Sequence, residues 1–223
     1  MNMKEFALYS YFRSSASYRV RIALALKGID YEYRAIHLLN DGGEQLKSEY
    51  ALINPSREVP TLVHTKNGQE FAIGQSVAIV DYLDRVAPLP PLFPQDPAER
   101  AKVLQACEIV NSGIQPLHNL RVLKLLSAKF GADEDQKNDW TRHWLTYGLQ
   151  TLERVLSKSA GDYCFGHLPS AADCFLIPNL ANAERYQVDL GPYPTLRRVR
   201  DTCSKHPAFI QASPTNTADA PKS

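Results

Sequence analysis

Arg13-Ser14-Ser15-Ala16-Ser17 is the stretch of this chain best suited to chemistry. It lies between an apolar segment, Phe6–Tyr11, and a helical segment, Arg19–Lys27, which Gly28 closes. A strand that feeds a helix through a serine-rich turn presents unpaired backbone N–H groups and the positive end of a helix dipole. Such a place holds an anion. The hydroxyls of Ser14, Ser15 and Ser17 either cap the helix or donate to that anion, and Arg13 adds a full positive charge beside them. Tyr9, Tyr11 and Tyr18 are further hydroxyls in reach along the sequence.

The other reactive residue types form no pattern of their own. Cys107, Cys164, Cys174 and Cys203 show no C-x-x-C spacing and read as buried reduced thiols. The six histidines, His37, His64, His118, His143, His167 and His206, have no metal-ligand spacing, so no metal site is expected. With 25 basic and 24 acidic residues in 223, the chain has no global field to recruit nucleic acid. No run approaches the roughly 18 apolar residues of a membrane span. Met1–Glu5 leads into the first strand without a signal-peptide block, so a cytoplasmic location and no membrane partner are expected.

The elements that must position the serine turn follow in order. Asp30–Ile36 alternates as a second strand, and Glu44–Leu52, after the Asn40–Gly43 turn, reads as a short irregular helix ending at Asn54-Pro55. Val59–His64 is an apolar strand with proline at its second position. Lys66-Asn67-Gly68-Gln69 is a hairpin turn, Glu70–Ile73 the returning strand, and Gln75-Ser76 opens a helix. The order βαβαββα is that of a thioredoxin-like α+β domain. In such folds a cis proline turns the neighbouring backbone outward to pair with an extended peptide ligand, so Val59-Pro60 is expected to be cis.

Pro88, Pro90, Pro91, Pro94 and Pro97 mark a linker, after which every pattern is helical. Arg100–Lys129 reads as one helix bent at Gly113 or Pro116; Asp133–Ser157, a helix capped by Ser170-Ala171-Ala172-Asp173, and Tyr193–Lys205 follow. The expected domains are therefore 1–86 thioredoxin-like, 87–97 linker, 98–213 all-helical, and 214–223 a frayed tail.

The opening FRSSASYRVRIALALKGIDYE resembles that of zeta-class glutathione transferases, the family that includes maleylacetoacetate isomerase. Ala16 replaces the family cysteine, and Tyr18 its tryptophan. The resemblance continues through Asp41-Gly42-Gly43, Asn54-Pro55, Val59-Pro60-Thr61-Leu62 and Gln75-Ser76-Val77-Ala78-Ile79. In the second half it continues through Ile114-Gln115-Pro116-Leu117, Asn119-Leu120, Ala171-Ala172-Asp173 and Asn182-Ala183-Glu184-Arg185-Tyr186. It covers nearly the whole chain.

The resemblance implies a glutathione transferase fold, a homodimer, and a glutathione site of Ser14, Ser15, Gln45, Val59, Gln75, Ser76 and Gln115. Ser14 and Ser15, with Arg13, would be catalytic, and Ser14 would assist the glutathione thiolate. Resemblance to bacterial maleylpyruvate isomerases places Arg13, Arg121 and Arg185, with Asn119, around a small dicarboxylate substrate. From the residues alone, Gln45 can equally be a solvated helix residue, Ser76 a cap, and Arg121 and Arg185 surface charges.

The implied function is glutathione-dependent cis–trans isomerisation of a maleyl keto acid, maleylacetoacetate to fumarylacetoacetate, in aromatic compound breakdown. Maleylpyruvate isomerisation is the alternative, as is general transferase or dehalogenase chemistry on small electrophiles. Three arginines favour a dicarboxylate over an apolar electrophile. A disulfide oxidoreductase is disfavoured because no cysteine precedes Cys107.

Overall fold

The computed structural model describes residues 5–221. The readings of Met1–Lys4 as a leaderless start and of Lys222 and Ser223 as tail lie outside the described residues. The chain divides into two units, Met1–Leu92 with Lys205–Ser223, and Phe93–Ser204.

The first unit follows the expected order: β1 (Phe6–Ser10), α1 (Ser15–Leu26), β2 (Glu32–Ala35), α2 (Ser48–Ile53), β3 (Thr61–Lys66), β4 (Gln69–Gly74) and α3 (Ser76–Val86). The strands lie in the order β2-β1-β3-β4. β1 is parallel to β2, as a helical crossover requires, and antiparallel to β3, which pairs antiparallel with β4. Asn67 and Gly68 both have positive φ, 53° and 76°, which suits the two-residue turn joining β3 to β4.

Several boundaries differ from the sequence reading: β1 ends at Ser10 rather than Tyr11, α1 spans Ser15–Leu26 rather than Arg19–Lys27, β4 spans Gln69–Gly74 rather than Glu70–Ile73, and three further differences have a plain physical cause. β2 is shorter because its partner β1 ends at Ser10, which pairs with Ala35. β3 begins at Thr61 rather than Val59, since Pro60 has no N–H to give the ladder. Residues 44–52 do not form one helix: a 3-10 turn, Glu44–Leu46, is separated from α2 by Lys47 in extended backbone (φ −65°, ψ 150°).

α1 is buried without a break from Ser17 to Leu24 because it packs against α3 on one side and against the end of the chain on another. That second neighbour corrects the expected domain boundary. Lys205–Ser223 belongs with the first unit, and α9 (Pro207–Gln211) lies on α1 through buried Ala208 and Phe209. The tail is not frayed where it is described. Pro214–Asn216 forms a 3-10 turn, and the Asp219 carboxylate accepts from the Phe12 amide at 2.9 Å and the Tyr33 hydroxyl at 2.6 Å. The start of the linker is fixed as well. Buried Lys27 donates to Asp84 at 2.5 Å and to the carbonyls of Ala87 and Pro90 at 2.7 and 2.6 Å, while Asp84 accepts from the Leu92 amide.

The second unit contains α4 (Pro97–Gly113), α5 (Leu120–Phe130), α6 (Glu134–Leu156), α7 (Ala171–Arg185) and α8 (Pro194–Cys203). The expected helix over 100–129 is two helices. α4 stops at Gly113, a 3-10 turn carries Gln115–His118, and Asn119 caps α5. Capping boxes, Asp133 with Gln136 and Ser170 with Asp173, start α6 and α7. The core is built from Val103, Cys107, Leu145, Leu149, Leu152, Phe175, Leu180, Leu196 and Val199. A side chain at Gly148 would run into Ile114, so α6 passes close to the end of α4. All four cysteines lie buried in this unit as thiols rather than disulfides, and burial pushes those of Cys164, Cys174 and Cys203 up, away from reactivity.

Candidate active site

The strand register brings the serine turn together with two other segments. Tyr9 near the end of β1 pairs with Thr61 at the start of β3, and Thr61 pairs with Gly74 at the end of β4. The Arg13–Ser15 turn, Val59-Pro60 and Gln75-Ser76 therefore leave the sheet at the same end. β2 ends there too, with the Ile36 amide donating to the Ser10 carbonyl at 2.8 Å, and leads to Gln45.

Ser14 caps α1, its Oγ accepting from the Ser17 amide at 3.1 Å. That bond uses a lone pair and leaves the O–H able to donate, so capping does not preclude anion binding by the same hydroxyl. Ser15 is the first residue of α1, and both serines are half-buried. Arg13 is exposed beside them.

Val59-Pro60 is cis, as expected. Val59 precedes the first laddered residue of β3, so its amide and carbonyl stand outside the sheet's register. The bend it occupies is held from behind. The Glu58 carbonyl accepts from Tyr50 Oη at 2.7 Å and Asn54 Nδ2 at 2.9 Å, and both side chains also reach Thr61 Oγ1. A Cβ at Gly74 would meet Asn54 Nδ2 at 3.2 Å, so the glycine keeps β4 close to this bend.

Gln75 has φ 66°, the left-handed region, and brings the chain sharply into α3. Ser76 is not the cap of α3 but its first helical residue. Its Oγ accepts at 3.0 Å from Nη1 of Arg19, a guanidinium only 1% exposed. A buried cation beneath a helix N-terminus adds to the positive potential there.

Gln45 is not a solvated residue. It is 8% exposed, and its Oε1 is buried without a hydrogen-bond partner. Gly43, at φ 117°, makes room for it: a Cβ there would stand 2.7 Å from Gln45 Nε2. A buried acceptor left unpaired costs about 1–3 kcal/mol, which a ligand N–H would recover.

In the second unit, Gln115 opens the 3-10 turn after α4, and Asn119 Oδ1 accepts from the Arg121 amide at 3.1 Å. Arg121 stands in the first turn of α5, exposed. Arg185 is the last residue of α7, exposed, with its guanidinium 4.9 Å from the centre of the Tyr186 ring.

Sequence reading missed Arg19, Arg21 and Asp219. A signal existed for the first two: two arginines in a helix otherwise apolar on every side must be buried, and a buried charge requires partners. Asp219, in a polar tail, carried none.

Among the described residues, no three His, Cys, Asp or Glu side chains are grouped to hold a metal ion, and no helix is long and apolar enough to cross a membrane.

A thioredoxin-like unit with an anion-binding turn, followed by a helical unit, defines the glutathione transferases as a class. The family model "Glutathione S-transferase, N-terminal domain" matches residues 13–86. The rat maleylacetoacetate isomerase is 45% identical over 96% of this chain and 94% of its own. Among solved structures, a maleylpyruvate isomerase described as a bacterial glutathione-S-transferase of the zeta class has a TM-score of 0.90 and 39% identity, over 96% of this chain and 100% of its own. The maleylacetoacetate isomerase of Anaeromyxobacter dehalogenans, with bound dicarboxyethyl glutathione and citrate in its active site, has a TM-score of 0.88 and 39% identity over 100% of both chains. This chain belongs to the zeta-class glutathione transferase and maleylacetoacetate isomerase family.

Proposed function

We propose that this protein is a glutathione-dependent cis–trans isomerase of a maleyl keto acid, with maleylacetoacetate as substrate. The convergence of Ser14, Val59 and Gln75-Ser76 at one end of the sheet carries the reading, because those segments offer what a glutathione thiolate and its peptide backbone need. The unpaired Oε1 of Gln45 fits the same ligand.

When bound, glutathione supplies a thiolate that adds to the electron-poor cis double bond, lets the resulting single bond rotate, and leaves again. Ser14 donates its O–H toward the sulfur, and the N-terminus of α1, with Ser15, adds partial positive charge. Lowering a thiol pKa by about two units corresponds to ~2.7 kcal/mol of preference for the thiolate, within reach of one hydroxyl and one helix end. The Val59 amide and carbonyl pair with the cysteinyl unit. Ser76, held by Arg19, and the first N–H groups of α3 take the γ-glutamyl carboxylate, with Gln75, Gln45 and Gln115 completing the site. Arg13, Arg121 and Arg185, with Asn119, hold the substrate carboxylates and the developing enolate oxygen. No separate strong base is required.

The relative from A. dehalogenans supports both halves of this site, since its structure holds a dicarboxyethyl glutathione and a polycarboxylate. The maleylpyruvate isomerase likeness favours maleylpyruvate as the second reading. Loss of cis-substrate absorbance, followed for both keto acids with and without glutathione, tests the proposal. Glutathione-dependent turnover of maleylacetoacetate, faster than of maleylpyruvate, is expected; the opposite order gives the second reading, and turnover of neither ends both. We also propose a cytoplasmic homodimer, which the family likeness supports; sedimentation at twice the 25.0 kDa chain mass tests the dimer.

A further inference from the structure

We propose that Asp219, near the end of the chain, is a positioning residue for the serine turn: with Arg21 it fixes both backbone polar groups of Phe12 and so sets where Arg13 and Ser14 stand. The inference rests on the reading of Ser14 as the thiolate's donor.

Phe12 is gripped from two sides. Its amide donates to Asp219 Oδ2 at 2.9 Å, across 207 residues of sequence. Its carbonyl accepts from Arg21 Nη2 at 3.2 Å. The same guanidinium reaches the Tyr11 carbonyl at 3.4 Å, Ser10 Oγ at 3.1 Å and, through Nε, the Ala212 carbonyl at 3.0 Å. One side chain of α1 thus ties the end of β1, the reactive turn and the returning C-terminal segment together. The Ser14 amide donates to the Tyr11 carbonyl that Arg21 also holds, so the anchor reaches the serine itself.

A carboxylate at 219 also adds negative charge near Arg21. Arg21 is 1% exposed, and its four hydrogen-bond acceptors among the described residues are all uncharged. Burial pulls its pKa down, and the Asp219 carboxylate is among the groups that pull it back up. Asp219 is in turn held by Tyr33, whose hydroxyl donates to Oδ1 at 2.6 Å. Burial and that bond push the phenol's pKa up, keeping it a donor. The carboxylate accepts one bond on each oxygen, one of them from the backbone that leads into the reactive turn. Between this anchor at Phe12 and the start of α1 at Ser15, only Arg13 and Ser14 remain to be placed.

The test compares D219A, D219N and Y33F with the unaltered protein by two readouts besides activity. One is backbone amide exchange over residues 12–17 without glutathione; the other is the ultraviolet thiolate absorbance of bound glutathione as pH is varied. D219A should speed exchange over 12–17 about tenfold, the scale of one lost bond to a charged group, and leave the centre of the sheet unchanged. It should raise the pH at which the thiolate forms and lower isomerase kcat about tenfold, with glutathione affinity changed much less. D219N keeps an acceptor for the Phe12 amide and should recover most of the loss; Y33F should fall between. If D219A does not fold, D219N and Y33F carry the test through the same readouts. Unchanged exchange over 12–17 in D219A, or in both other variants, overturns the proposal, as does faster exchange spread evenly over the first unit. No thiolate absorbance near neutral pH in the unaltered protein would instead overturn the role of Ser14, while the exchange readout still decides the anchor.

Discussion

Ser14 Oγ accepts from the Ser17 amide, and its O–H can still donate outward, so one hydroxyl can serve both as cap and, in the proposed reaction, as the thiolate's donor. Replacing Ser14 with alanine removes both. S14A should lose about 0.5–2 kcal/mol of stability as an N-cap substitution, read from chemical unfolding. It should also lower kcat for isomerisation and for conjugation of an aryl halide alike, since both use the thiolate. Ser15, which makes no capping bond, separates the effects: S15A should cost less stability than S14A. The arginines behave differently. R121A and R185A should each cut isomerase kcat/KM by roughly 2–4 kcal/mol, the range for truncating one partner of a desolvated charge pair. Glutathione binding and aryl halide turnover should stay nearly intact. Equal losses on both substrates would place these arginines in structure rather than substrate binding.

Some elements of this fold were readable in advance, for reasons that local sequence carries. The Asn67-Gly68 hairpin and the capping box at Ser170 and Asp173 are short-range signals, and both form as read. The Val59-Pro60 segment was legible through its family motif, while its support by Tyr50, Asn54 and Thr61 depends on tertiary approach. The linker was legible as a run of prolines, but its anchoring by Lys27 was not, because a lysine one residue before a helix-ending glycine reads as solvated. That lysine and Asp84 form a buried pair, with side-chain exposures of 0% and 9%. Removing one partner leaves the other charge buried, so K27A or D84A should destabilise by about 3–5 kcal/mol in denaturant titration. A loss below 1 kcal/mol would show that the pair is hydrated.

At the scale of the whole chain, the sequence divided cleanly into a thioredoxin-like part and a helical part, and hydropathy periodicity suffices for that division. What it did not disclose is that the chain returns: Lys205–Ser223 completes the first unit, with Phe209 2% exposed. A five-residue helix followed by a polar tail has too little periodicity to reveal the face it lies on. Because α9 covers α1, F209A should cost about 3–5 kcal/mol, a core-sized loss, and lower the first unit's melting temperature. A surface-sized change would mean that the end of the chain is peripheral after all.

In the proposed reaction the thiolate site catalyses isomerisation and returns its cofactor unchanged. The most direct measurement is the number of maleyl keto acid molecules isomerised per molecule of glutathione when the substrate is in large excess and the protein is present in trace amounts. Many turnovers for each glutathione are expected, with the fumaryl isomer as product and free glutathione recovered in full. Consumption that stops at one substrate per glutathione, with the sulfur retained in the product, would contradict the proposed reaction and make the protein a conjugating transferase.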